Sequence, residues 1–149
     1  YLTCETAHIE EKASPLAHQQ LPSPSPSLPL RTGPILVVED NKTNQKILCK
    51  QLELAGYRCT VASNGEQAVE AMGAVKEVDT TEKWNKAGFS LILMDLEMPV
   101  MGGLEATQLI RQKEQQLSVV PIPIVGLSAY AREAYMEKAK QAGMDDYLT

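Results

Sequence analysis

Two apolar stretches that end in acidic residues decide the fold: PILVVED at residues 34–40 and SLILMD at residues 90–95. A strand that is buried on both faces of a parallel sheet reads as a continuous apolar run of this kind. In an open α/β sheet, functional side chains collect just beyond the carboxyl ends of the strands. If these two strands are neighbours, we expect Glu39, Asp40 and Asp95 to meet in one small crevice.

The bulk composition is that of one globular domain. The chain has 149 residues, of which 44% are hydrophobic and 22% charged, enough for a core of its own. A formal net charge of -5 argues against nucleic acid as a direct partner, because phosphate binding needs clustered Lys and Arg. No apolar run of about 18 or more residues and no signal peptide is visible, so this segment predicts no membrane contact.

The three cysteines predict neither a disulfide framework nor a zinc site. Cys4, Cys49 and Cys59 form no C-x-x-C pair and no histidine cluster accompanies them. We expect inert reduced thiols, which is typical of the cytoplasm.

Residues 1–33 differ from the rest of the chain. The stretch LPSPSPSLPL at 21–30 alternates proline with small polar residues, and proline favours extended, solvated backbone. We predict a disordered Pro/Ser-rich linker over 1–33. The alternative is a proline-rich ligand for a recognition module.

From residue 34 the pattern alternates between strands and helices, which predicts right-handed βαβ units and a doubly wound parallel five-stranded sheet. Polar residues 73–88 interrupt the pattern as an insertion, in which Trp84 is a local packing anchor or a partner contact. The predicted strands cover 34–38, 57–62, 90–94, 121–127 and 145–149, and the predicted helices cover 42–55, about 66–75, 104–116 and 131–142.

The three acidic side chains favour a metal site. Carboxylates that lie this close repel one another unless a cation sits among them, and oxygen ligands suit Mg²⁺. The simpler interpretation is that acids after strands are solvated loop residues. The coincidence of Glu39, Asp40 and Asp95 at one edge of the sheet favours the metal site, with one of the three as a candidate nucleophile.

Two further features indicate covalent phosphoryl chemistry. Ser128 follows the apolar run IVGL, so it also lies at the carboxyl end of a strand, where its hydroxyl can bond a phosphoryl oxygen. Pro99 and the Gly102–Gly103 pair shape the loop after Asp95. A carboxylate beside a cation and a hydroxyl can accept a phosphoryl group.

Four motifs, in order, resemble the receiver domain of response regulators: ILVVEDNKTNQKIL, SLILMDLEMPVMGG, GLSAY and AGMDDYLT. The resemblance covers residues 34–149 and implies a flavodoxin-like fold. The first two motifs are most similar to receivers of hybrid histidine kinases, particularly fungal ones. The resemblance implies a part in a two-component phosphorelay, with a histidine phosphotransfer protein or a histidine kinase domain as partner.

The resemblance also assigns site residues. Asp95 matches the phosphoacceptor, and Glu39 and Asp40 match the acidic pair that holds Mg²⁺. The main-chain carbonyl of Glu97 matches a further metal ligand.

Two more positions match the family's switch. Ser128 occupies the Thr/Ser switch position and Tyr147 the aromatic switch position, although Tyr147 is equally well read as a core aromatic. The family's partner docks beside the first helix, near Asn44, Ile47 and Leu48. Leu48 is also a candidate core residue.

Three departures from the family pattern stand out. The family places a Lys directly after a sequence like DDYLT, and this sequence ends at Thr149. We therefore expect a receiver that is truncated at its C-terminus and lacks the last helix. Gly102 stands where the family has an Asp or Asn cap.

Two other functions remain open from the residues. The fold could serve as an interaction module that is not phosphorylated. The string Asp95-Leu96-Glu97 weakly resembles the paired acids of an aspartyl phosphatase of the haloacid dehalogenase type. In the favoured interpretation this segment is a phosphoacceptor rather than a turnover enzyme, and its parent chain is a histidine protein kinase.

Overall fold

The computed structural model describes residues 32–73, 84, 87–129 and 132–149. The linker predicted over 1–33 lies almost entirely outside the described residues, as does most of the 73–88 insertion. Trp84 is described and is 5% exposed within the main core cluster, so the prediction of a packing anchor is confirmed. None of the helices in the described ranges is both long and apolar enough to cross a bilayer.

The predicted five-stranded parallel sheet is confirmed, with the strand order β2-β1-β3-β4-β5. Its chain order reverses between β1 and β3, which is where α/β sheets form their ligand crevice. Val38 of β1 pairs with Met94 of β3, so Glu39 and Asp95 leave the sheet side by side. The strands are β1 Ile35–Val38, β2 Cys59–Ala62, β3 Leu91–Asp95, β4 Ile124–Leu127 and β5 Asp146–Leu148.

Helices begin and end at residues suited to those positions. The Asn41 side chain accepts from the amides of Thr43 and Asn44 at the start of the first helix. Gly56, with φ +92°, follows its end. Gly102 gives the third helix no side-chain cap. The described helices are α1 Lys42–Leu54, α2 Gly65–Ala71, α3 Gly103–Leu117 and α4 Glu133–Ala142.

The sheet separates two apolar clusters because successive strand residues face opposite sides. Leu36 and Val38 belong to the larger cluster, against which α2, α3 and α4 pack. Ile35, Val37 and Leu93 form the smaller cluster, against which α1 packs through residues such as Leu48 and Leu52.

Several predicted boundaries need correction. Strand β2 begins at Cys59 rather than 57, and helix α2 ends at Ala71 rather than about 75. Strand β4 begins at Ile124 rather than 121, because Pro121 and Pro123 have no N–H for the ladder. Helix α4 begins at Glu133 rather than 131, and residues 130–131 lie outside the described ranges.

Candidate functional site

Three carboxylates meet at the carboxyl end of the sheet. Glu39 and Asp40 follow β1, and Asp95 ends β3. One oxygen from each lies within 4.8 Å of the others. The juxtaposition predicted from the two acid-terminated runs is therefore present, because β1 and β3 are adjacent and in register.

Asp95 is the electrostatic centre of this cluster. Burial first, and then the negative charges of Glu39 and Asp40, raise the pKa of Asp95 from 3.8 to about 6. Main-chain amides of Leu96 and Glu97 oppose this shift by donating to the carboxylate, with Glu97 N at 3.2 Å from Asp95 Oδ1. These two main-chain donors therefore offset only part of the negative charge of the three carboxylates.

Glu39 is buried, with 7% of its surface exposed, and its carboxylate is held by two donors. Glu39 Oε1 accepts from Asn41 N at 3.1 Å and from Asn44 Nδ2 at 3.4 Å. Asn44 was predicted from the sequence to lie on a partner surface, and its contact with Glu39 was not predicted. The sequence did contain a signal for this contact, because Asn44 lies only five residues after Glu39, in the first turn of α1.

Ser128 lies in the same groove as two of the acids. Glu39, Asp95 and Ser128 line a cavity of about 390 Å³. Ser128 N donates to Leu148 O at 3.1 Å, which holds the end of β4 to β5. The apolar part of the lining comes from Ile47, Leu48, Leu127, Ala129 and Leu148.

Tyr147 lies away from this groove. It is half-buried and packs against the larger core cluster, next to Gly126 of β4. A β carbon on Gly126 would lie 2.9 Å from Tyr147 Cδ2, so the absence of a side chain at Gly126 makes room for the ring. This role of Gly126 was not predicted, although a glycine inside an apolar strand is a signal of close packing.

The loop after Asp95 is held tightly. Gly103 N donates to Leu96 O at 3.1 Å, and Gly65 N, at the start of α2, donates to Met101 O at 2.9 Å. Val100 has φ +71°, which is strained for a β-branched residue. The loop is therefore fixed at both of its sides, against β3 and against α2.

The donor set fits a hard divalent cation. All three side chains offer carboxylate oxygens, which Mg²⁺ prefers over nitrogen or sulfur. A cation at this point would also offset the negative charges of Glu39 and Asp40, which, after burial, raise the pKa of Asp95.

Comparison with known proteins gives a consistent result. The response regulator receiver domain family matches residues 35–149. Hybrid signal transduction histidine kinase I of Dictyostelium discoideum is 36% identical over 115 residues, which is 77% of this chain and 6% of that protein. Peroxide stress-activated histidine kinase mak1 of Schizosaccharomyces pombe is 39% identical over 115 residues, covering 76% of this chain and 6% of that protein.

Two solved structures are similar in both fold and sequence. One is the complex of the Saccharomyces cerevisiae phosphotransfer protein Ypd1 with the receiver domain of Ssk1, with a TM-score of 0.67, 35% identity and coverage of 78% of this chain and 77% of that one. The other is the Mg²⁺-bound receiver domain of sensor histidine kinase PA1611 from Pseudomonas aeruginosa, with a TM-score of 0.61, 37% identity and coverage of 78% and 84%. The sheet order, the acid-terminated strands and a family match across 35–149 lead to one conclusion: this chain belongs to the response regulator receiver domain family.

Proposed function

We propose that this chain is the phosphoacceptor module of a phosphorelay, in which Asp95 receives a phosphoryl group from a phosphohistidine. The observation that supports this most directly is the half-buried Asp95 carboxylate, which lies within 4.8 Å of Glu39 and Asp40. Acidic side chains that cluster at a sheet edge are found more often at reactive and metal-binding sites than in purely structural roles.

Four groups would hold Mg²⁺ at this site: the side chains of Glu39, Asp40 and Asp95 and the main-chain carbonyl of Glu97. When bound, the ion would neutralise the charge that builds up as a phosphoryl group approaches three acids.

In the transfer step, a carboxylate oxygen of Asp95 forms a bond to phosphorus while the bond from phosphorus to the histidine nitrogen breaks. The electron pair of that bond stays on the imidazole, which takes up a proton. Glu97 N, already donating to Asp95 Oδ1 at 3.2 Å, orients the carboxylate. The hydroxyl of Ser128 donates to an oxygen of the arriving phosphoryl group.

The same residues supply a switch. A phosphoryl group on Asp95 draws Ser128 toward it, and Ser128 N is bonded to Leu148 O at 3.1 Å. Leu148 follows Tyr147 in β5, so movement at the end of β4 is passed to the strand that carries the aromatic ring. Phosphorylation of Asp95 would then favour one of two packing arrangements of Tyr147 against β4.

The proposed partner is a histidine phosphotransfer protein or a histidine kinase domain. Ile47 and Leu148, 50% and 53% exposed, border the groove that contains Asp95. An apolar rim beside a reactive carboxylate suits a helical partner that presents a phosphohistidine. The Ssk1 receiver in complex with Ypd1 is a relative that binds such a partner. We also propose that the parent chain is a cytoplasmic hybrid histidine kinase.

Phosphoryl labelling tests the proposal. We expect Mg²⁺-dependent labelling by a small phosphodonor or a phosphorylated phosphotransfer protein, measured on this chain and on a version continued past Thr149 with the family's Lys. Asp95→Asn removes the label, whereas the exposed control Asp146→Asn keeps it. Equal labelling of Asp95→Asn contradicts the proposal. Absence of both labelling and Mg²⁺ binding supports the interaction-module alternative, and steady release of phosphate from a monoester supports the phosphatase alternative.

A further inference from the structure

We infer that Gln45 is a positioning residue that fixes the main chain of the acidic pair Glu39–Asp40 for cation binding. The inference rests on the proposed function, because it concerns the same metal site. Gln45 touches no reacting atom and acts through the residues that do.

Gln45 lies on the inner side of α1 and is 6% exposed, one of four buried polar residues in the described ranges. Its Nε2 donates to the main-chain oxygen of Glu39 and to Ser63 Oγ, the latter at 3.2 Å. Glu39 follows β1 and Ser63 follows β2, so one amide group ties together the carboxyl ends of two neighbouring strands.

This contact completes the fixation of Glu39. Glu39 N donates to Ala62 O at 3.1 Å, and the Glu39 side chain accepts from Asn41 and Asn44. The bond from Gln45 secures the remaining polar group, the carbonyl. Because that carbonyl belongs to the peptide plane shared with Asp40, holding it sets the direction in which the Asp40 carboxylate leaves the strand.

The choice of residue also favours this role. An apolar side chain would fill a buried position on α1 without the desolvation cost of an amide. Gln45 carries that cost and offsets it with bonds to the metal-binding end of β1 and to the adjacent loop. Outer-shell bonds of this kind typically change metal affinity by about 10- to 100-fold when they are removed.

The test compares Gln45→Met, which keeps the length and loses the donor, with the control Gln51→Met on the exposed side of the same helix. We expect the Kd for Mg²⁺, measured by calorimetry, to rise about 10- to 100-fold in Gln45→Met and to stay unchanged in Gln51→Met. The preference for Mg²⁺ over Ca²⁺ should also fall, because Mg²⁺ demands near-ideal geometry and Ca²⁺ tolerates irregular ligands. A purely structural role would lower the melting temperature without changing this preference.

A folded Gln45→Met variant with the wild-type Kd overturns the inference alone. A wild-type chain that binds no Mg²⁺ overturns the proposed function as well. A second measurement needs no substitution: in ¹⁵N-labelled wild type, the side-chain amide of Gln45 should shift on Mg²⁺ titration while that of Gln51 does not. An unmoved Gln45 amide in a protein that binds Mg²⁺ also overturns the inference.

Discussion

Gly103, the first residue of α3, packs so closely against Asp95 that a β carbon on Gly103 would lie 2.0 Å from the main-chain oxygen of Asp95. The start of α3 and the proposed phosphoacceptor are therefore in direct backbone contact. Any side chain at Gly103 must displace one of them.

Gly103→Ala should thus damage both stability and labelling. We expect a loss of about 1–3 kcal/mol in the free energy of unfolding, as for other overpacked sites, and weaker phosphoryl labelling of Asp95. Urea denaturation and labelling measure the two effects. Gly102→Ala is the matched control: a β carbon there would lie 3.2 Å from Leu96 O, a tight contact that a small shift relieves, so its loss should be much smaller. Equal behaviour of the two variants would show that the close contact is unimportant.

The raised pKa of Asp95 predicts an unusual pH dependence in the metal-free protein. The folded chain holds this proton up to about pH 6, whereas the ordinary value is 3.8, so the folded state binds more protons between these values. The contribution of Asp95 to stability therefore falls as the pH rises through this window. We expect Asp95→Asn to be more stable than wild type at pH 7, with the difference shrinking toward pH 4. Urea titrations across this range measure it, and a constant difference would contradict the prediction.

Arg111 holds together one end of the domain. Its guanidinium donates to Glu114 Oε2 at 2.7 Å, to Asp145 Oδ2 at 2.8 Å and to the carbonyls of Ile122 and Gly143 at 2.8 Å. Glu114 is 2% exposed, so removing its cation leaves a buried charge unpaired.

Arg111→Met should accordingly cost about 3 kcal/mol in the free energy of unfolding. The exposed Arg58 provides the control, since Arg58→Met should change stability by less than about 0.5 kcal/mol. The double variant Arg111→Met with Glu114→Gln should recover part of the loss, because it removes the unpaired charge. A small loss in the single variant would argue against this role.

Cys59 should be unreactive in the folded chain. Burial first, and then the neighbouring Cys49, raise the pKa of the Cys59 thiol from 9.0 to about 11. Because the thiolate is the reactive form, Cys59 should be alkylated more slowly at neutral pH than an ordinary thiol. Peptide mapping after maleimide treatment measures the rate, and a urea-unfolded sample should react normally. Fast labelling of folded Cys59 would refute the prediction that the thiol is inert.

Ile47 tests the proposed docking surface. Ile47→Glu places a charge on the apolar rim of the Asp95 groove, so transfer from a phosphotransfer protein should slow at least tenfold, an effect of about 1.4 kcal/mol. Labelling by a small phosphodonor should slow much less, because that reaction needs no contact with a helical partner. Leu54→Glu is the control on the same helix, at a residue that is 77% exposed and outside the groove lining. Equal slowing in both variants would contradict docking of the phosphotransfer protein at this surface.

Much of the fold could be predicted from the sequence, because its signals are local. The uninterrupted run ILVV predicted a buried strand, and Gly56 marked the end of α1. Boundaries were less accurate where backbone donors decide them, as at Pro121 and Pro123. The linker over 1–33 stays a prediction.

The candidate site, like the fold, could be predicted from the sequence only in part. The acid-terminated runs by themselves determined that Glu39, Asp40 and Asp95 follow strands, and the order of elements determined that those strands lie in one parallel sheet. Only the tertiary structure decided that one oxygen from each acid lies within 4.8 Å of the others, because register between β1 and β3 depends on packing across the sheet. It also decided that Gln45 bonds Glu39 and Ser63, because a contact from a helix to a strand end has no signature in local sequence.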